Sequence, residues 1–198
     1  NLTAHDYAKR LTEKEITCCC RFYKGFSWTV LFYPFIMEHR GEYNMEKITS
    51  FCIDHDILEK GMYISRIDGD IITYDLRMVK PNCGTYLDND GLHTFEHLFA
   101  TYVRNSVYSD AVIYAGPMGC RTGFYFLTRD SISKAQAVQL VKDTMAFIAG
   151  FEGDIPGAQE SKECGNYLDH DLAKAKAYAK AYGQVMKDWN EEQLVYPQ

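Results

Sequence analysis

The feature that most constrains this chain is an H-x-x-E-H pattern formed by His93, Glu96 and His97. Residues four apart lie on one face of a helix, so the two imidazoles can bind a single metal ion. Glu96 leans toward the same face, where a carboxylate can move protons for whatever the ion binds. Taken alone, the pattern is equally compatible with an ordinary polar helix face.

The surrounding sequence predicts a helix over residues 90–106, which Asp90 can cap through its side-chain oxygen. Apolar residues recur at helical spacing and supply a buried face, at Leu92, Phe95, Phe99 and Val103. Two further helices are predicted over residues 131–149 and 171–189. The H-x-x-E-H pattern therefore lies on a helix that packs against a core.

Several short segments rich in β-branched and aromatic residues predict strands. They cover residues 48–54, 62–66, 71–80 and 111–115, with 124–128 also extended. The gaps between most of them are short, and Asp68-Gly69-Asp70 is typical of a hairpin turn. Short gaps favour antiparallel pairing, because parallel strands need long crossover connections. The predicted fold class is α+β, with helices packed on one face of an antiparallel sheet.

The third predicted strand carries two charged residues on one side, Asp75 and Arg77. Alternate residues of a strand point to opposite faces, so these two side chains point the same way. Either a polar pocket wall or a surface ion pair would explain the pair.

Composition and charge exclude several classes of protein. With 198 residues the chain is long enough for one domain, or one domain plus an extension. The net charge of -6 gives a nucleic-acid partner no electrostatic support. No apolar run approaches the ~20 residues of a membrane span. The odd number of cysteines, 7, favours reduced thiols in the cytoplasm over a disulfide framework.

The chain divides into two parts of different residue composition. Residues 1–44 contain a triple cysteine and an aromatic run, and we interpret them as an extension of unknown role, disordered or absent from the working protein. Residues 45–198 are expected to form a single catalytic domain, with Met45 as a plausible start.

A catalytic zinc-type site has three protein ligands and one open position. Cys164 is the best third ligand, because its Gly-containing loop could bring a thiolate to the ion. His170 and His55 are the competing candidates for the third ligand. Alternatively, Cys164 is not a ligand and is simply buried as a small hydrophobic residue.

Cys120 lies in a glycine-flanked turn beside Arg121, so its sulfur is expected to be accessible. A positive charge nearby would favour the reactive thiolate. A purely structural cysteine remains the alternative.

Three separated motifs stand out: H-T-F-E-H-L at 93–98, G-P-M-G-C-R-T-G-F-Y at 116–125 and K-E-C-G-N-Y-L-D-H at 162–170. Together they resemble the S-ribosylhomocysteine lyase (LuxS) family. Shorter matches occur in the same order at 48–51, 54–55 and 75–77. The resemblance covers about residues 45–182, and the first 44 residues have no counterpart in it.

The resemblance implies an enzyme that cleaves S-ribosyl-L-homocysteine to L-homocysteine and 4,5-dihydroxypentane-2,3-dione, the precursor of the autoinducer-2 quorum-sensing signal. It also implies one divalent metal ion per subunit, Fe(II) in the working enzyme, with Zn or Co able to replace it. The family is a homodimer with its active sites at the interface, so some pocket residues come from the partner subunit.

The resemblance also implies residue roles. His93, His97 and Cys164 become the metal ligands. Cys120 and Glu96 become the catalytic acid/base pair. The substrate-binding positions are Ser50, His55 and Arg77.

These residue types suit the implied chemistry. Moving a carbonyl along a sugar chain requires proton transfer at carbon next to C=O, which a thiolate and a carboxylate can perform. A Lewis-acidic cation assists such a step. Loss of the β-thiolate then releases homocysteine without any redox change, so no nicotinamide or flavin is needed.

Two rival functions remain open at this point. H-x-x-E-H is also a zinc-peptidase pattern, in which the glutamate activates water for amide attack. A structural or storage zinc module would instead have a closed four-ligand site, with His170 or Cys120 as the fourth ligand.

Overall fold

The computed structural model describes residues 46–48 and 51–198. Its strands and helices follow in the order β1 (Gly61–Asp68), β2 (Ile71–Arg77), α1 (Asn89–Arg104), β3 (Val112–Pro117), β4 (Gly123–Arg129), α2 (Lys134–Gly150) and α3 (Leu172–Met186). The expected extension over residues 1–44 lies outside the described residues. None of the described helices combines the length and hydrophobicity needed to cross a bilayer.

The four strands form one antiparallel sheet in the order β1-β2-β4-β3. The predicted hairpin joins β1 to β2, and Gly69 at its tip has a φ of 60°, which glycine adopts without steric cost. The α+β class and the antiparallel pairing predicted from the short gaps are confirmed.

One face of the sheet forms the core. Tyr74 lies opposite Phe126 and Leu76 opposite Phe124, and all four side chains are buried. The apolar side of α1 packs on this face, with the Phe95 ring centroid 4.8 Å from that of Phe124. Burial of this apolar surface determines which side of α1 faces the sheet. The polar side of α1, which carries the H-x-x-E-H pattern, is thereby turned away from the sheet.

Three local predictions were wrong. The strand predicted over 48–54 is absent from its described part, where the chain bends at Cys52 and Ile53. Asp54 accepts a hydrogen bond from the Asp56 N–H in the turn that follows. Such local bonds to an Asp side chain compete with strand pairing. The strand predicted over 71–80 ends at Arg77. The backbone N–H groups of Met78 and Val79 both donate to the Thr122 carbonyl, so they do not continue the hydrogen-bond ladder between strands.

The third wrong prediction concerns the start of α1. Asp88 occupies the cap position, and Asp90 lies in the first turn. The Asp90 carboxylate instead pairs with Lys174 of α3, at 2.8 Å. This ion pair links α1, which carries the two predicted histidine ligands, to α3, which follows the loop that contains Cys164.

Close packing of α1 against α3 positions the loop that precedes α3. A Cβ atom at Gly91 would lie 2.6 Å from the Lys174 Cβ, so only glycine permits this approach. The chain just before α3 is also hydrogen-bonded to α1, because the Asp171 N–H donates to the Thr94 hydroxyl at 2.9 Å. Residues 164–170 consequently lie against the polar side of α1.

Candidate active site

The polar side of α1 presents His93, Glu96 and His97 to a pocket of about 520 Å³. All three side chains are half-buried, and the two imidazole rings meet edge to face with centroids 4.8 Å apart. The helical spacing thus brings the three residues together as the sequence predicted.

Cys164 reaches this helix face from the loop before α3, with its sulfur 3.3 Å from His93 Nε2. Possible ligand atoms of His93, His97, Cys164 and His170 all lie within 4.8 Å of one another. Among the described residues, His55 is not part of this group and lies in another pocket. The predicted ligands therefore converge, and of the two competing ligands only His170 joins them.

Backbone carbonyls orient the two helix histidines. His93 Nδ1 lies 2.9 Å from the Asp169 carbonyl oxygen, and His97 Nδ1 lies 2.8 Å from that of Pro156. A carbonyl only accepts, so both imidazoles carry their proton on Nδ1 and leave a lone pair on Nε2. This outer hydrogen bond is the usual way in which a protein orients a metal-binding histidine.

His170 has the same tautomer for a different reason. The Thr94 hydroxyl donates its one hydrogen to the Asp90 carbonyl at 2.9 Å, so it must accept from His170 Nδ1 at 3.1 Å. His170 Nε2 is left as a buried lone pair with no hydrogen-bond partner among the described residues. Burial, followed by the charges of His93 and His97, lowers the pKa of His170 to about 4, so the ring is neutral at pH 7.

Ring geometry separates His170 from the other three candidate ligands. Its ring stacks on His93 with centroids 4.0 Å apart and planes inclined by 22°, whereas His97 is steeply inclined to both rings. An imidazole coordinates through a lone pair in its own plane. Two stacked, nearly parallel rings do not direct their lone pairs at one point. The stacking of His93 and His170 therefore disfavours both as ligands to the same ion.

The donor set fits a divalent transition metal. Imidazole nitrogen and thiolate sulfur suit Fe, Co and Zn, whereas Mg and Ca prefer oxygen ligands. Imidazole nitrogens and a thiol within 4.8 Å of one another form the kind of ligand group that such an ion requires.

A second cluster surrounds Cys120, which is exposed in the turn between β3 and β4. The turn closes through the Arg121 N–H, which donates to the Met118 carbonyl, and Arg121 has a φ of 57°. A non-glycine residue in this left-handed conformation is strained, and such strain concentrates at functional sites. Cys120 and His55 line a pocket of about 400 Å³.

The positive charge that contacts the Cys120 sulfur is that of Arg77, whereas the sequence had pointed to Arg121. Arg77 Nη1 lies 4.0 Å from the Cys120 sulfur. The Arg121 guanidinium instead lies over the Tyr86 ring, 5.9 Å from its centroid.

Arg77 is held by a buried ion pair with Asp75, 2.5 Å away, and both side chains are at most 3% exposed. The surface ion pair considered from the sequence is therefore wrong, because the pair is buried. Burial alone would lower the pKa of Arg77, but the Asp75 charge and hydrogen bond outweigh it and raise that pKa. Tyr196 also donates to the Asp75 carboxylate, at 2.9 Å.

Sequence reasoning assigned no role to several residues that organise the two clusters. The carbonyls of Asp169 and Pro156 leave no side-chain signal that could have identified them. Thr94 and Thr122 could have been suspected, since each is a polar residue within a motif and each is buried. Ser50 lies outside the described residues.

The domain is α+β, and one helix and one loop bring two histidines and a thiol together. This combination defines a class of enzyme with a candidate metal centre. The model of the S-ribosylhomocysteinase (LuxS) family matches residues 48–193. The chain belongs to this family and is an enzyme, a carbon–sulfur lyase.

Individual relatives agree with the family match. The chain is 41% identical to the S-ribosylhomocysteine lyase of Clostridium acetobutylicum over 159 residues, which cover 78% of this chain and 100% of the relative. It is 45% identical to the enzyme of the same name from Phocaeicola vulgatus, over 77% of this chain and 98% of the relative. The Clostridium beijerinckii enzyme is also 45% identical, over 77% and 99%. These matches do not support the peptidase alternative.

Proposed function

We propose that this chain cleaves S-ribosyl-L-homocysteine to L-homocysteine and 4,5-dihydroxypentane-2,3-dione, the autoinducer-2 precursor. One observation carries the proposal: His93, His97 and Cys164 converge beside Glu96 in a chain that belongs to the S-ribosylhomocysteinase family. The catalytic domain that we assign begins at residue 45.

His93, His97 and Cys164 would hold one divalent metal ion, which we propose is Fe(II), with Zn or Co able to replace it. When bound, such an ion supplies Lewis-acid polarisation of the sugar carbonyl. The outer hydrogen bonds to the Asp169 and Pro156 carbonyls keep the two Nε2 lone pairs available for it.

Glu96 and Cys120 would move the protons. One of them removes a proton from the carbon next to the carbonyl, and a proton is added to the former carbonyl carbon. The hydroxyl proton moves from one oxygen to the other, so the carbonyl shifts by one position. A repeat of the shift places the ketone β to the sulfur. Loss of the α-proton then forms a C=C bond as the C–S bond breaks, and homocysteine leaves as a thiolate that takes up a proton. The remaining enol takes up a proton on its terminal carbon and loses its hydroxyl proton, which gives the dione. No oxidant or reductant enters the balance.

Arg77, His55 and Ser50 would bind the substrate. Support comes from the first two, because Arg77 contacts the Cys120 sulfur and His55 lines the same pocket. A guanidinium and an imidazole offer N–H donors to hydroxyl and carboxylate oxygens, the groups that a ribosyl amino acid carries.

Ring stacking argues against a closed, structural zinc site. The fourth ligands predicted for such a site are His170 and Cys120. His170 stacks on His93, and the Cys120 sulfur contacts Thr122 and Arg77. Three ligands leave a position open for substrate, which is the catalytic arrangement.

We also propose a homodimer with active sites at the subunit interface. Exposed apolar side chains support this, among them Phe51 at 71%, Val195 at 68% and Ile48 at 57% exposure. Cys120 and Glu96 line different pockets, so a second subunit could complete each site. Light scattering coupled to size exclusion should give about twice the chain mass of 22.8 kDa. A monomer mass in the active preparation would contradict the proposed dimer.

The cytoplasm is the compartment we propose, because the described cysteines are free and two of them would act as thiolates. There the reaction would release homocysteine for the activated methyl cycle and supply the dione for quorum sensing.

The direct test is a homocysteine-release assay on protein purified without oxygen, with its metal content measured. We expect S-ribosyl-L-homocysteine to yield one free thiol per molecule consumed, detected with a thiol reagent. A panel of peptides incubated with the same preparation should remain intact. Peptide cleavage without thiol release would overturn the proposed function in favour of the peptidase.

A further inference from the structure

Thr122 lies between the Arg77 guanidinium and the Cys120 sulfur. Its hydroxyl oxygen is 2.5 Å from Arg77 Nη1 and 3.0 Å from Cys120 Sγ, and the residue is only 2% exposed. The direct distance from Arg77 Nη1 to the sulfur is longer, 4.0 Å. The hydroxyl is therefore the closest link between the charge and the thiol.

The hydrogen positions in this chain of contacts follow from chemistry. A guanidinium only donates, so Thr122 Oγ1 must accept the bond from Arg77. A hydroxyl carries one hydrogen, which remains free to point at the Cys120 sulfur. A thiolate can only accept, so it makes a charge-assisted bond with this hydroxyl, and the guanidinium strengthens that bond by polarising the O–H group.

The network cannot easily rearrange. Arg77 is buried and tied to Asp75 at 2.5 Å, and Asp75 is tied in turn to the Tyr196 hydroxyl. The Thr122 carbonyl accepts from two backbone N–H groups, those of Met78 and Val79. The residue that follows is also constrained, because a Cβ atom at Gly123 would lie 2.0 Å from the Leu76 carbonyl oxygen. The hydroxyl thus has a fixed position relative to the sulfur.

Other charged or titratable groups share this environment. They are Asp75 and Tyr125 near Arg77, and His55, Tyr86 and Arg121 around the pocket. Among them Arg121 contributes a formal positive charge, but its guanidinium lies over Tyr86. Arg77 is consequently the cation that acts on the sulfur through a hydroxyl.

We propose that Thr122 is a positioning residue that transmits the Arg77 charge to Cys120 and holds its sulfur as a thiolate aimed into the pocket. This rests on the proposed function in giving Cys120 an acid/base role. The hydrogen-bond network itself does not depend on that role.

The test measures alkylation of Cys120 by iodoacetamide as a function of pH, followed by peptide mass spectrometry. Thr122→Val removes the hydroxyl but keeps the shape of the side chain, and Thr122→Ser keeps the hydroxyl. We expect Thr122→Val to raise the pH midpoint of alkylation by about one unit, the tenfold change typical of losing one hydrogen bond to a charged group. Thr122→Ser should restore the wild-type midpoint.

Cys83 is exposed and is read in the same digest, so it serves as an internal reference whose profile should not move. If Thr122→Val does not fold, as judged by circular dichroism, Thr122→Ala provides the same comparison. An unchanged Cys120 midpoint in the folded hydroxyl-free variant would overturn the inference.

The pH profile of homocysteine release should shift upward together with alkylation. If alkylation shifts but release does not, the network is present and the acid/base role of Cys120 is wrong. The failure of this inference and the failure of the proposed function are thereby distinguishable.

Discussion

Replacing Cys120 with alanine should lower the rate of homocysteine release by about 10²–10⁴-fold while the bound metal remains in place. This is the range that a positioned general acid/base contributes. Cys120 is absent from the group of candidate ligands, and its sulfur contacts Thr122 and Arg77 instead. Loss of the thiol therefore removes a proton carrier without removing a ligand. Steady-state thiol release and elemental analysis of the same sample measure the two effects separately.

Glu96→Gln should behave in the same way, because Glu96 lines the pocket beside both histidines and the amide cannot carry the proton. Cys83→Ala is the matched control, since Cys83 is an exposed cysteine to which no role is assigned. It should release homocysteine at the wild-type rate. Full activity of Cys120→Ala or of Glu96→Gln would remove that residue from the proposed acid/base pair.

Replacing His97 with alanine should release the metal. The imidazole is oriented by the Pro156 carbonyl, and its ring is steeply inclined to both neighbouring imidazoles, so it offers a lone pair in a direction that they do not. We expect the metal content of the purified variant to fall from about one ion per chain to near zero, and activity to fall with it. Elemental analysis and a metal-sensitive absorbance titration with Co²⁺ both report this loss without any activity measurement.

His170→Ala is the matched control for the ligand assignment. His170 stacks on His93 and so does not share a coordination point with it. The variant should keep about one ion per chain, although loss of a neighbouring imidazole can weaken binding by about 10–100-fold. If His170→Ala loses its metal as completely as His97→Ala does, the three-ligand assignment is wrong and a closed four-ligand site is favoured.

Much of the fold was predictable because its signals are local. Helical spacing of apolar residues predicted α1, and the Asp68-Gly69-Asp70 turn predicted the β1–β2 hairpin. The wrong predictions lie where a tertiary contact decides the outcome. β2 ends at Arg77 because two backbone N–H groups bond to a carbonyl more than forty positions away. Asp90 pairs with Lys174 of another helix, so it does not cap α1.

The same division holds for the site. By itself the sequence determined that His93, Glu96 and His97 share one helix face, because their spacing matches the helical period. It also supplied the motifs that identify the family. Only the tertiary structure decided that Cys164 and His170 join that face and that His55 does not. Only the folded chain brings Arg77, rather than the neighbouring Arg121, to Cys120. Hydrogen bonds and ring stacking between distant segments depend on how helices and strands pack, and no local pattern encodes that packing.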